Sequence, residues 1–387
     1  MKNEKQYTFI FAGAGAATLQ ILGKLLESPQ FSNANILIIE QDSQKKNDRT
    51  WCFWEPKEKM EWSPYVVKEW EKIQFSSPSF SLNKSLSPLT YKMIRSEAYY
   101  KTMHERIRQH QSIDIVYESV TGHHEHDEHV VVRTANNTYL GAYFFNSVFD
   151  WSVVQNQKRY PVLQQHFVGW FIKTENDHFD PTTATFMDFR VPQLGNTRFM
   201  YVLPLSKNEA LVEYTLFSKD RLKRAAYERE IRRYLNTKNI RNYTISETEE
   251  GSIPMTSYPF SKHNSKRVMH IGSAGGWTKS STGFTFTFIE RKAASLARFL
   301  EENKDLSLFE KRNRFWWYDL LFLDVLARYN NKGGMLFSRL FERTQLATIL
   351  RFLDEKSSFG EEVRIMRSFP VGMFVMQLIR RLMRALH

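Results

Sequence analysis

The beginning of the chain carries the pattern that most constrains its fold. An apolar run at residues 9–12 leads into Gly13, Ala14 and Gly15, then a helical pattern and a second apolar run that ends at Glu40. A strand, a glycine turn, a helix and a strand ending in an acid form a unit that binds dinucleotides. Gly13 would permit the sharp turn, Gly15 would let the backbone approach a pyrophosphate, and Glu40 would hold a ribose hydroxyl. We therefore predict a dinucleotide site in an N-terminal βαβ unit.

One position departs from that pattern. Thr18 stands where a third glycine normally allows the helix to pack closely on the strand. The alternative interpretation is a chance pair of glycines in an unrelated βαβ unit.

Glu213 is a carboxylate within an apolar strand pattern that covers residues 199–215. Burial disfavours the charged form and raises the pKa of a carboxyl, by up to about 3–5 units at fully buried sites. Such an acid is able to protonate a hydrocarbon. The alternative is a strand glutamate that faces solvent or an arginine.

Composition indicates a cytoplasmic enzyme. Cys52 is the single cysteine, so an internal disulfide is excluded, and residues 1–6 lack the apolar core of a secretory signal. The 30 Phe and 9 Trp residues suit an apolar ligand. No run approaches 18 apolar residues without charge, so we predict that any membrane contact is peripheral.

The formal charge of +12 is compatible with binding to nucleic acid or to anionic lipid. The distribution of the basic residues along the chain helps to choose between the two. From residue 371 onwards apolar residues recur at helical spacing, and Arg380, Arg381 and Arg384 lie off that stripe. This pattern is typical of a helix that lies on anionic lipid, here the inner membrane, although a terminal helix also packs on its own domain. No nucleic-acid-binding motif accompanies the basic residues, so we predict no nucleic-acid partner.

The order of strand and helix patterns predicts an α/β chain with two domains and a helical end. Residues 1–60, 94–155 and 255–300 would form a discontinuous nucleotide-binding domain, with strands at 113–116, 130–132 and 147–149. Residues 61–93 and 156–254 would form an antiparallel β domain for the substrate, with Ser- and Pro-rich loops at 76–90 and a charged helix at 218–236. Residues 301–387 are mostly helical in pattern.

Two other clusters carry weaker signals. His123, His124, His126 and His129 crowd a short segment that is a possible metal site or a solvated hairpin turn, and we assign no metal. The aromatic stripe at residues 315–329 is typical of a helical core, and it would alternatively wall an apolar tunnel.

Several segments, taken in order over about residues 8 to 295, resemble the lycopene cyclase family and its bacterial β-cyclases in particular. The segments are residues 13–15, 49–54, 164–169, 186–190, 203–213, 250–255, 270–276 and 282–284. The resemblance implies a glutathione-reductase-like, Rossmann-type FAD-binding domain close to the flavin hydroxylases, an antiparallel β substrate domain and a helical C-terminal region.

The same resemblance implies closure of the linear ends of lycopene into β-rings, giving β-carotene through γ-carotene. Glu213 aligns with the carboxylate that these cyclases require. Tyr214 stands where some relatives have an aspartate, which leaves open whether a second carboxylate shares the proton. The resemblance further implies a need for reduced FAD without net redox change, since an anionic flavin would stabilise a carbocation, and NAD(P)H is the expected reductant.

We expect the following residues to bind the cofactor: Gly13, Ala14, Gly15, Glu40, Arg95, Gly272, Gly275, Gly276, Thr282 and Gly283. The helix after Gly283 would aim its positive end at the flavin. Trp51, Phe53 and Trp54 would bind substrate by cation–π contact with the intermediate, or would simply form core.

Two rival functions stay open at this point. One is an FAD-dependent hydroxylase or epoxidase of an isoprenoid, which consumes oxygen and reduced nicotinamide; the other is a non-catalytic carotenoid-binding flavoprotein. The expected partners are lycopene, the membrane lipid surface and other enzymes of carotenoid synthesis. The sequence leaves open the number of ends cyclised, the β or ε ring type, the source of flavin reduction and the oligomeric state.

Overall fold

The computed structural model describes residues 5–44, 47–302 and 305–386. Among the predicted residues of the terminal stripe, the side chains of Arg384 and Leu386 lie outside that description, as does the whole of His387. The strands are β1 Gln6–Ala12, β2 Ile36–Glu40, β3 Thr50–Pro56, β4 Val66–Trp70, β5 Lys72–Ser76, β6 Ser81–Ser85, β7 Leu89–Arg95, β8 Ile113–Tyr117, β9 Val120–Glu125, β10 Val130–Thr134, β11 Thr138–Asn146, β12 Leu163–Thr174, β13 Thr183–Asp188, β14 Thr197–Pro204, β15 Glu209–Ser218, β16 Tyr243–Met255 and β17 Val268–His270.

Helices connect and cover these strands. They are α1 Ala16–Glu27, α2 Ser96–Arg108, α3 Trp151–Gln155, α4 Arg224–Thr237, α5 Phe286–Glu302, α6 Arg314–Arg328, α7 Gly333–Arg343, α8 Leu346–Leu353, α9 Phe359–Ser368 and α10 Val371–Leu386.

The first sheet has the strand order β8-β2-β1-β11-β10-β9, and β17 pairs with the end of β11. The strands β8, β2, β1, β11 and β17 run parallel, and β10 and β9 return antiparallel. Helices α1 and α5 share one hydrophobic core with this sheet, which includes Phe11, Leu22 and Leu296. The predicted βαβ unit is confirmed.

The strand predicted at residues 147–149 is wrong. Strand β11 ends at Asn146, and Asp150 caps the short helix α3 by accepting a hydrogen bond from the backbone N–H of Ser152 at 2.8 Å. A short aspartate side chain that bonds the backbone two residues on favours a cap or a turn over a continued strand.

The second sheet has the strand order β16-β12-β15-β14-β13-β5-β6 and is antiparallel except for the pair β13–β5. One face packs on α4, through residues such as Trp170, Tyr214 and Ile231. The other face packs on the C-terminal helices, through residues such as Leu211 and Phe337. Because side chains alternate along a strand, Glu213 points to the same face as Leu211, away from α4.

The loops predicted at residues 76–90 are partly wrong, because this segment contains β6 and the start of β7. Strand β6 is an edge strand whose serines, asparagine and lysine are largely exposed, so its composition is that of a loop.

A third, small sheet has the strand order β3-β7-β4. Along β3, Cys52 and Trp54 join the core of the second sheet, whereas Trp51 and Phe53 join the core of the first. Strand β3 lies in the range predicted for the nucleotide domain, and β4 lies in that predicted for the substrate domain. This sheet therefore links the two units, while the predicted domain ranges stay a prediction.

The C-terminal helices are joined to the rest of the chain by a buried ionic triad. The Nζ atom of Lys279 lies 3.0 Å from Oδ2 of Asp319 on α6 and 3.1 Å from Oε1 of Glu355, just after α8. The Lys279 side chain is fully buried, and Asp319 also accepts a hydrogen bond from Ser281 Oγ at 2.8 Å. The triad fixes α6 and α8 against residues 279–281.

We expect Lys279→Met to lower the free energy of unfolding by about 3–5 kcal/mol, because it leaves two carboxylates without their buried cation. Urea denaturation followed by tryptophan fluorescence measures this. The matched control is Lys356→Met, which removes an exposed lysine 3.2 Å from Asp354 and should cost less than about 1 kcal/mol. Equal midpoints for the two variants would contradict the expectation.

Candidate functional site

The first glycine turn has the geometry of a dinucleotide cradle. Gly13 has a φ of +87°, and a Cβ built on it would lie 2.3 Å from Ser147 Oγ. Gly15, just before α1, has open space where its side chain would be. Thr18 donates a hydrogen bond from Oγ1 to the Gly13 carbonyl at 2.6 Å, so the residue that departs from the pattern ties the helix to the turn.

Glu40 lies at the end of β2, beside that turn. Its Oε2 accepts a hydrogen bond from the Ala14 N–H at 2.6 Å, and its Oε1 accepts one from the Asp42 N–H at 3.0 Å. The carboxylate is therefore held by two backbone donors next to the open N-terminus of α1.

A second glycine segment, residues 272–283, packs against the first. A Cβ on Gly272, whose φ is +59°, would lie 3.0 Å from Cβ of Ala17 on α1. A Cβ on Gly275 would lie 2.2 Å from the His270 carbonyl oxygen, and Gly276 adopts a φ of +72°. The structure thus brings the two predicted cofactor segments together.

The end of this segment approaches the second sheet. Gly283 has a φ of +75°, and a Cβ there would lie 2.4 Å from Oε1 of Gln165 on β12. Thr282 Oγ1 and Gln165 Oε1 are buried without a hydrogen-bond partner among the described residues. Buried polar atoms normally have partners, so this pair fits the polar edge of a bound ligand. Helix α5 begins at Phe286, so its positive N-terminus lies close by.

Glu213 lies in the middle of β15 and is only 8% exposed. The alternative of a solvent-facing strand glutamate is therefore wrong. Its Oε1 accepts a hydrogen bond from Thr215 Oγ1 at 2.5 Å. Burial raises the pKa of Glu213 well above its usual range, and the nearby Glu249 carboxylate raises it further, so the neutral acid is favoured.

Glu213 has a second carboxyl beside it, on a different strand from the Tyr214 position at which the sequence left a second carboxylate open. Glu249 on β16 is hydrogen-bonded to Glu213 and accepts a hydrogen bond from Thr50 Oγ1 at 2.6 Å. Gly169 on β12 lies opposite both glutamates. The sequence places Glu249 in a run of acidic residues, and only the strand order β15-β12-β16 brings it to Glu213.

Neutral groups surround Glu213 on its other sides. Tyr201 on β14 lies directly opposite it, and Cys52 and Tyr91 approach from the third sheet. Burial raises the pKa of all three, and the charge of Glu213 adds to this rise. Uncharged neighbours on these sides support a neutral, proton-donating carboxyl.

The three aromatic residues predicted to bind substrate divide between two environments. Trp54 lies 4.7 Å from Phe284 and 6.3 Å from Phe186, measured between ring centroids, and Phe186 in turn contacts Tyr91. Trp51 and Phe53 pack on Phe286 in the core of the first sheet. Their role in substrate binding stays a prediction, and the geometry favours it for Trp54.

Arg95 lies at the end of β7 and faces the second sheet. It pairs with Glu247 on β16 at 2.5 Å, and its guanidinium lies 4.1 Å from the ring centroid of Phe171. Its charge lowers the pKa of Glu249 against the effect of burial. The structure therefore places Arg95 beside the glutamate pair, and its predicted cofactor contact stays a prediction.

The histidine cluster forms part of the predicted hairpin of β9 and β10. The His126 and His129 rings are stacked with centroids 4.7 Å apart. Across residues 5–44, 47–302 and 305–386 no group of three or more His, Cys, Asp and Glu side chains is arranged to hold a metal ion.

Helix α10 packs on α6 with a polar side and leaves most of its apolar side exposed. It contacts α6 through Arg381, whose guanidinium makes two hydrogen bonds of 2.6 and 2.7 Å to Asp324. Most of its apolar stripe is exposed: Val371, Val375, Leu378, Ile379 and Leu382. No helix in the part of the chain that the structure describes is long and apolar enough to cross a membrane.

Solved structures with a similar fold include flavin-dependent proteins. A geranylgeranyl bacteriochlorophyll reductase-like protein from Thermoplasma acidophilum matches with a TM-score of 0.67 at 13% identity, covering 98% of this chain and 100% of its own. The flavin-dependent brominase Bmp2 matches with a TM-score of 0.57 at 11% identity, covering 90% and 93%. The fold is therefore that of the FAD-dependent oxidoreductases and halogenases, with a Rossmann-like domain, as predicted.

Comparison of the amino-acid sequence identifies the family to which the chain belongs. The family model described as lycopene cyclase protein matches residues 9–379, and the chain belongs to that family. A lycopene beta-cyclase of Pseudescherichia vulneris is 25% identical over 252 residues, which are 64% of this chain and 61% of the relative. That of Pantoea ananas is 24% identical over 264 residues, 65% and 63% of the two chains. The matched part thus spans about three fifths of the length of these relatives.

Proposed function

We propose that this protein is a flavin-dependent lycopene β-cyclase, which closes the linear ends of lycopene into β-rings without net oxidation. The observation that carries the proposal is the buried Glu213, whose pKa is raised by burial, set among Cys52, Tyr91 and Tyr201 on a fold that also builds a dinucleotide cradle. Membership of the lycopene cyclase family supports the choice of substrate.

The cradle fits FAD. The open approach at Gly15, the carboxylate of Glu40 and the unpartnered oxygen of Thr282 would hold the cofactor along the two glycine segments. Reduced FAD, with NAD(P)H as its source of electrons, would supply negative charge that stabilises a carbocation. The positive N-terminus of α5 favours such an anion.

The chain itself supplies the proton. Glu213 would protonate the terminal double bond of lycopene, and the electrons of the neighbouring double bond would then form the ring C–C bond. Loss of a proton from the adjacent ring carbon leaves the β-ring, so atoms and electrons balance within one isomerisation. The aromatic ring of Trp54 supports the intermediate by facing positive charge.

We expect the purified protein to bind FAD and Gly13→Ala to weaken that binding by about tenfold or more, or about 1.4 kcal/mol. A Cβ at Gly13 meets Ser147 at 2.3 Å in a backbone conformation that alanine disfavours. Flavin fluorescence titration measures the affinity. Gly122→Ala is the control, since its Cβ would enter open space in the β9–β10 hairpin. A parent protein that retains no added FAD would contradict the cofactor assignment.

Glu213→Gln should reduce cyclisation by at least about 100-fold while FAD stays bound, because an amide cannot donate the proton. Pigment analysis in a lycopene-accumulating host measures the product. Glu209→Gln, at the half-exposed start of the same strand, serves as the control and should retain activity. Parent-like yields of β-carotene from Glu213→Gln would remove Glu213 from the catalytic role.

Anaerobic turnover with chemically reduced FAD separates this proposal from its rivals. A cyclase forms product without oxygen, a hydroxylase or epoxidase stops, and a carotenoid-binding flavoprotein forms no product under either condition. The same assay shows whether one or both ends of lycopene are closed and whether the ring is β or ε.

We further propose that the protein works in the cytoplasm at the surface of the inner membrane, with α10 as its contact. Trp317 on α6 is a further exposed apolar side chain, at 55% exposure. Exposed apolar patches mark interaction surfaces, and the chain's charge of +12 suits anionic lipid. Lycopene dissolves in the bilayer, so an enzyme acting on it needs such a surface.

Leu382→Asp should weaken binding to anionic liposomes by about tenfold or more, because burying one leucine in lipid contributes about 1.5–3 kcal/mol. Flotation measures the bound fraction, which should also fall with added salt. The control is Met60→Asp, which changes an exposed apolar residue outside α10. Equal flotation of both variants would assign α10 to another role. Arg381 is left unchanged because it pairs with Asp324.

A further inference from the structure

Four strands of the second sheet align one row of residues that surrounds the proposed acid. Tyr201 on β14, Glu213 on β15, Gly169 on β12 and Glu249 on β16 lie directly opposite one another in that order. Residues opposite each other on neighbouring strands project from the same face of a sheet. The two glutamates therefore project from one face, with a glycine between them.

Gly169 leaves the gap in which the two carboxyl groups meet. A Cβ built on Gly169 would lie 3.4 Å from Cβ of Glu213 and 3.2 Å from Cγ of Glu249, and 2.8 Å from Cδ1 of Leu211. Any larger side chain in the middle strand would occupy the space over which the glutamates approach. Glycine normally weakens the interior of a strand. Its presence here is explained by the space that it leaves for the two carboxyl groups.

The hydrogen bonds of the pair require one shared proton. Glu213 accepts from the Thr215 hydroxyl and Glu249 accepts from the Thr50 hydroxyl, so each carboxyl has one oxygen left for the other. Two carboxyl groups form a hydrogen bond only when one of them is protonated. Like charges in such proximity also disfavour a second ionisation.

The surroundings make the pair asymmetric. Burial raises the pKa of Glu249, and Arg95 on β7, which is paired with Glu247 on β16, lies on the Glu249 side and opposes that rise. The groups that face Glu213 are Cys52 on β3, Tyr91 on β7 and Tyr201 on β14, all with a raised pKa and therefore neutral near pH 7. The proton accordingly resides on Glu213 and the negative charge on Glu249.

We propose that Glu249 is a positioning residue that keeps the catalytic proton on Glu213, and that Gly169 is the gap that allows this pairing. For its kinetic consequence this inference rests on the proposed cyclase activity. When Glu213 transfers its proton to the terminal double bond, the pair changes from one negative charge to two while the substrate becomes a carbocation. The proton lost from the ring carbon then returns to the pair, so no oxidant or outside acid is consumed.

The pH dependence of Glu249→Gln tests the proposal. Lycopene in liposomes is cyclised anaerobically with reduced FAD, and the rate is followed from neutral to alkaline pH. Because the neutral amide no longer opposes ionisation of Glu213, the alkaline loss of activity should move to lower pH, by about one unit or more. A merely structural role for Glu249 would lower the rate equally at every pH and would overturn the proposal.

Two further variants test the geometry. Glu250→Gln changes the next residue of β16, a half-exposed glutamate near Arg224 on the other face, and should leave the pH profile unchanged. Gly169→Ala inserts a methyl group between the carboxyl groups and should move the alkaline limb in the same direction as Glu249→Gln. A Gly169→Ala variant that binds FAD and keeps the parent profile would overturn the role given to Gly169.

Infrared spectroscopy separates the pair from the proposed activity. The parent should show the carbonyl band of a protonated carboxylic acid at pH 8, and Glu213→Gln should lack it. In Glu249→Gln this band should disappear at lower pH than in the parent. A band that titrates identically in the two proteins overturns the pairing, whereas the expected bands without any cyclised product leave the pairing supported and overturn the proposed function alone.

Discussion

The Glu213 carboxyl lies on an inner face of the second sheet, where water cannot solvate its charge. An isolated carboxylate in such a place costs several kcal/mol, so the surrounding residues must keep it neutral or provide a partner. Thr215 donates to it, Glu249 shares a hydrogen bond with it, and Tyr201 covers it from the next strand. The same desolvation that makes the ionised form unfavourable keeps the proton on Glu213 near neutral pH, where it is available for transfer.

The small third sheet couples this acid to the dinucleotide unit. Strand β3 directs Cys52 and Trp54 towards the second sheet and Phe53 towards the core of the first. The second glycine segment also lies between the two units, because Gly272 lies close to Ala17 on α1 and Gly283 lies close to Gln165 on β12. A cofactor held along the two glycine segments would therefore lie next to the sheet that carries the acid.

The C-terminal helices serve the site in two ways. Lys279 fixes α6 and α8 through Asp319 and Glu355, and these helices pack on the inner face of the second sheet. Helix α10 then rests on α6 through polar contacts, including the pair Arg381–Asp324, and turns its apolar face outwards. A helical layer that both covers a buried acid and presents an apolar surface suits a substrate that dissolves in lipid.

The sequence by itself determined features whose signal lies within one element. The spacing of Gly13, Gly15 and Glu40 predicted the βαβ unit, and helical periodicity predicted α10. The apolar strand pattern singled out Glu213 but left open whether its carboxyl faced solvent. Tertiary structure decided which elements meet: the order β15-β12-β16 brings Glu249 to Glu213 over Gly169, and the packing on α6 leaves the stripe of α10 exposed. The reason is physical, because periodicity along a strand or helix specifies two faces but not the neighbour that each face meets.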